Sequence, residues 1–65
     1  MPRVSARELE VIEAVAEGLE NKQIAARLGI SEQTVKNHLA RIMEKLGVHS
    51  RVAVAGLAIR RHLVQ

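Results

Sequence analysis

Gly18, Gly29 and Gly47 divide this chain into four stretches, each carrying apolar side chains at helical spacing. Each glycine directly follows such a stretch. That is the C′ position, where a left-handed backbone ends a helix and a Cβ would cost energy. Ser5, Ser31 and Ser50 stand at the other ends of three of them, where a hydroxyl can accept from the free N–H groups of a first turn. The punctuation predicts an all-α fold. It is a compact four-helix domain over residues 1–65, with helices at about 6–17, 21–28, 32–46 and 51–62.

The apolar periods assign a core. Ser5 and Glu8 make an S-x-x-E capping box, and Val4 and Leu9 fall at the two positions of a hydrophobic staple. Val11, Ile12, Val15, Ala16 and Leu19 then form the inner face of the first helix, with Glu10, Glu13 and Glu17 as a wet stripe opposite. Ile24, Ala25 and Leu28 serve the second helix. Val35, Leu39, Ile42 and Leu46 serve the third, flanked by Met43.

The fourth helix is apolar most of the way round, from Val52 to Ile59. A surface helix needs only one apolar stripe. Val54, Ala55, Ala58 and Ile59 are expected to face the core. That leaves Ala53, Gly56, Leu57 and Arg60 for a partner subunit. Gly56 in mid-helix costs roughly 1 kcal/mol relative to alanine. Close approach of a second backbone would explain it.

Composition excludes several classes. Without cysteine there is no disulfide frame and no thiolate metal site. Without Phe, Trp or Tyr there is no ring on which a single-stranded base could stack. No apolar run is long enough for a membrane span, and the N-terminus lacks a secretory pattern, so a cytoplasmic domain is expected. His38, His49 and His62 lack metal-ligand spacing. Nothing resembles an activated nucleophile or a phosphate-cradling glycine loop. Neither an enzyme, a cofactor nor a small-molecule ligand is expected.

The charge points elsewhere. Residues 1–33 carry four basic and six acidic side chains, whereas residues 34–65 carry six basic side chains against Glu44 alone. A basic half suggests a polyanionic partner. Ala25, Gly29 and Val35 also stand at A-x3-G-x5-V spacing, the signature of a helix-turn-helix. The alanine is small where two helices cross, the glycine makes the sharp turn, and the valine seals the corner. Such a unit presents the start of its second helix to the DNA major groove.

Longer stretches carry a resemblance. They are Val4 to Ile12, Gly18 to Ala25, Leu28 to Ser31, Thr34 to Leu39, Lys45 to Val48, and Ser50-Arg51. Through them the chain resembles the LuxR-type (GerE-like) helix-turn-helix domain. That domain closes NarL/FixJ-type response regulators and quorum-sensing regulators. The resemblance implies sequence-specific double-stranded DNA binding by a bacterial-type transcription regulator, with a homodimer through helix four. Such regulators often carry an N-terminal receiver or ligand-binding domain. Glu20, Ala53 and His62 depart from the usual pattern, at positions that bear on local stability.

On helix three, Gln33, Lys36, Asn37, Ala40, Arg41 and Glu44 form the outer face. The family's base-contacting positions map onto Lys36, Asn37, Ala40 and Arg41. Lysine can donate to guanine O6 and N7, and asparagine can pair with adenine through two hydrogen bonds. Phosphate contacts are expected from Asn21, Lys22 and Gln23 at the start of helix two and from Ser31 and Thr34 at the start of helix three. Lys45 and Arg51 are further candidates, Arg51 with a structural alternative. His38 is expected to be a packed, hydrogen-bonded histidine. RNA polymerase is a candidate further partner. The competing reading is a helical adaptor that binds protein through the same elements.

Overall fold

A computed structural model describes residues 3–60. Among them are four helices: α1 (Ala6–Ala16), α2 (Asn21–Leu28), α3 (Glu32–Leu46) and α4 (Arg51–Arg60). The expected bounds hold for α2 and α3. Helix α1 stops one residue early, because Glu17 already forms its C-cap and Gly18 turns with φ +89°. The expected extension of α4 to His62 lies outside the described residues. No described helix is long and apolar enough to cross a membrane.

The caps work as the sequence implies. Ser5 Oγ accepts from the Glu8 N–H at 3.1 Å, and Glu8 Oε1 accepts from the Ser5 N–H at 2.8 Å. Glu20, unusual before α2, has its N–H bound by Gln23 Oε1 at 2.8 Å. Ser50 Oγ takes the Ala53 N–H at 3.1 Å, so α4 is capped without an acid at Ala53.

Helix α1 packs on α4 and α2 on α3, while α3 also touches both α1 and α4. Val11, Ile12, Ala14 and Val15 of α1 meet Ile24 and Ala25 of α2, Val35, Leu39 and Ile42 of α3, and Val54 and Ala58 of α4 in one core. Ala14 is an addition to the expected set, and Ala16 is only half-buried. Ile59 is a correction. It is 56% exposed, although the core was expected to take it. Val54 and Ala58, four residues apart, fix the inward line of α4. Ile59 lies about 100° beyond Ala58, past the edge of the core.

Candidate nucleic-acid interface

The turn between α2 and α3 positions everything that follows. Gly29 adopts φ +68° and ψ +36°, the left-handed conformation. Its N–H and that of Ile30 converge on the Ala25 carbonyl, the latter at 3.0 Å. A Cβ on Gly29 would meet nothing within 4 Å, so conformation, not space, selects glycine here. Ser31 starts the next helix: its Oγ accepts from the Thr34 N–H at 3.0 Å, and the two hydroxyls lie 2.8 Å apart. Val35, fully buried, closes the corner with Ala25, also buried.

Burying Val35, Leu39 and Ile42 turns the other side of α3 to solvent. Lys36, Asn37, Ala40 and Arg41 are all exposed there, together with Gln33 and Glu44. All four expected base-reading residues therefore share one open face. One feature of that face was not foreseen: Gln33 Nε2 donates to Asn37 Oδ1 at 3.0 Å. The i, i+4 spacing is its sequence signal.

Lys22, Gln23 and Ser31 are exposed, and Asn21 and Thr34 are half-buried. The starts of α2, α3 and α4 meet around one open depression lined by Glu20, Asn21, Lys22, Glu32 and Arg51. Helix N-termini present free N–H groups and positive dipole ends to an anion. Glu20 and Glu32 oppose that field, which leaves Lys22 as the flanking cation on α2.

Two expected phosphate ligands are committed within the chain. Arg51 donates from Nη1 to Asn21 Oδ1 at 2.6 Å and from Nη2 to the Leu19 carbonyl. It ties the start of α4 to the start of α2 and to the loop before it. Lys45 Nζ lies 2.7 Å from Glu8 Oε1, joining α3 to α1. Lysine can pair with a carboxylate at long range, and no sequence period marks that partner. His38 is half-buried, beside the buried row of α3.

On α4, Ala53, Gly56 and Leu57 are half-buried and Arg60 is exposed. Val52, 82% exposed, and Ile59 lie on the outer side as well. The apolar excess of this helix is real, but its largest exposed members are these two residues.

Known proteins share this arrangement. The family of bacterial regulatory proteins, luxR family (GerE), matches residues 3–58. A nitrate/nitrite response regulator protein homolog of Haemophilus influenzae is 57% identical over 51 residues, covering 78% of this chain and 24% of that protein. The nitrate/nitrite response regulator protein NarP of Escherichia coli is 51% identical over 59 residues, covering 91% of this chain and 27% of that protein. The chain thus spans about a quarter of the length of these two relatives. Among solved structures, the response regulator ChrA of a heme-sensing two-component system superposes with a TM-score of 0.88 at 47% identity, over 98% of this chain and 33% of ChrA. The transcription factor GerE superposes at 0.87 with 31% identity, over 95% of this chain and 92% of GerE. The family consists of transcriptional regulators, not enzymes. The chain belongs to the luxR family of bacterial regulatory proteins, as a four-helix DNA-binding domain of the kind found in response regulators.

Proposed function

We propose that residues 1–65 form one output domain that reads double-stranded DNA in the cytoplasm, with α3 lying in the major groove. The exposed row on α3, opposite its buried row, carries this reading. Lys36, Asn37, Ala40 and Arg41 contact base edges. Lysine and asparagine supply hydrogen bonds, and Ala40 offers only a methyl to thymine. Asn21, Lys22, Gln23, Ser31 and Thr34 position the domain on phosphates through side chains and the N–H groups of two first turns. Lys45 and Arg51 hold the frame that aims them.

A single recognition helix has little discrimination, and a second copy on a neighbouring half-site raises it. The domain acts as a homodimer through α4, along Ala53, Gly56, Leu57 and Arg60. Exposed Val52 and Ile59 favour a protein contact on this helix. RNA polymerase is a further partner of the bound dimer.

Titration of duplex binding against salt tests the reading. The logarithm of affinity should fall linearly with that of salt, with a slope of about −0.9 per phosphate neutralised. Binding to no duplex at low salt would leave the adaptor reading in its place.

A further inference from the structure

We propose that Gln33 is a positioning residue that sets which base Asn37 prefers. The proposal rests on the duplex-reading role of α3 given above. At 100° per residue, Gln33, Asn37 and Ala40 fall within about 60° of one another on α3. All three are exposed and lie opposite Val35, Leu39 and Ile42. Gln33 thus stands on the centre line of the reading face. It is also in the first turn, the part of such a helix that enters the groove. The Ser31–Thr34 pair fixes the backbone of that turn.

The chemistry follows from one hydrogen bond. Gln33 Nε2 donates to Asn37 Oδ1 at 3.0 Å. A free asparagine carboxamide pairs with adenine by accepting from N6–H and donating to N7. That requires oxygen and nitrogen to face the base together. Here the oxygen is turned back along the helix toward Gln33. Asn37 is left to present its NH₂ to the groove. An NH₂ alone suits an edge made of acceptors, and guanine offers two adjacent ones, N7 and O6. The Gln33 oxygen remains free to accept from the neighbouring base pair. Ala40, one turn on, carries no hydrogen-bonding group to compete for Asn37. The pair therefore favours guanine where an isolated asparagine would favour adenine.

Selection of bound sites from random duplexes tests this with the wild-type domain, Asn37→Ala, Gln33→Ala and Gln33→Glu. Loss of preference in Asn37→Ala marks the base pair that Asn37 reads. At that position the wild type should select guanine. Gln33→Ala frees the Asn37 oxygen and should lower the guanine-over-adenine ratio by about tenfold. Gln33→Glu cannot donate to Oδ1, so it should accept from Nδ2, turn the oxygen outward, and shift selection from guanine to adenine or cytosine, whose exocyclic amines lie in the major groove. A merely structural role would weaken all sequences alike. Unchanged base preference in Gln33→Ala, or adenine selected by the wild type at that position, would overturn the proposal while leaving DNA reading intact. If the wild type selects no site, the duplex-reading role itself fails, and this proposal with it. Gln33 is exposed, and circular dichroism verifies that each variant keeps its helices.

Discussion

Lys45 Nζ sits 2.7 Å from Glu8 Oε1, which ties the last turn of α3 to the first turn of α1 across 37 residues. The Glu8 side chain is 4% exposed and that of Lys45 36%. The same carboxylate oxygen caps α1 through the Ser5 N–H. The hydrogen bond from Lys45, and after it the one from Ser5, holds the Glu8 carboxyl below the usual glutamate range, against the opposing effect of burial.

A folded value below the unfolded one gives a stability contribution that is complete above the ordinary glutamate value of 4.5. It is lost as pH falls through the lower folded value. Lys45→Met should destabilise the domain by about 1–3 kcal/mol at neutral pH, less than for a fully buried pair because the ammonium remains partly in water. Urea denaturation along an acid series should show the difference between wild type and variant shrinking as Glu8 protonates. A difference independent of pH would show that the contact is not ionic.

Arg51 bonds both Asn21 and the Leu19 carbonyl. Arg51→Leu should therefore cost about 2–3 kcal/mol, the range for hydrogen bonds to a charged group with an acceptor left unpaired. Arg51→Lys should recover only part of this, because a point-like ammonium cannot reproduce the guanidinium fork. Thermal unfolding of the two variants checks the order.

Two glycines should respond with opposite signs. Gly29→Ala places a Cβ at φ +68° and should destabilise by about 1–2 kcal/mol. Gly56→Ala meets only Arg60 Nη1 at 3.6 Å, an ordinary contact. It should stabilise an isolated subunit by up to about 1 kcal/mol. If a second copy packs over Gly56, the same change should weaken association, which sedimentation across a concentration series measures.

The proposed dimer face on α4 has its own test. Leu57→Glu should yield a monomer and weaken binding to paired half-sites more than to a single one, whereas Ile59→Glu, on the other side of α4, should leave the dimer intact. Unchanged mass in Leu57→Glu alone would move the interface to the Val52–Ile59 side of α4.

Local signals made most of the fold legible. Ser5, Ser31, Gly29 and Gly47 mark caps, and a cap depends on a few neighbouring residues, so it can be read directly. The exposed face of α3 followed for the same reason: a clean buried row leaves only one outer side. Helix α4 resisted. Apolar side chains nearly all round leave no period to say which ones turn inward, and Ile59 was misassigned. The partners of Lys45 and Arg51 were hidden because Glu8 and Leu19 lie more than thirty positions away, and only the packed helices bring them close.

On the proposed function, Lys36 and Asn37 read bases and do not merely grip the backbone. The most direct measurement compares affinity for the selected duplex and for a random one in wild type, Lys36→Ala and Asn37→Ala. Asn37→Ala should lose about tenfold or more on the selected duplex and at most about twofold on the random one. Lys36→Ala should likewise lose more on the selected site. Equal losses on both duplexes would place these side chains on phosphates and rule out base reading by them.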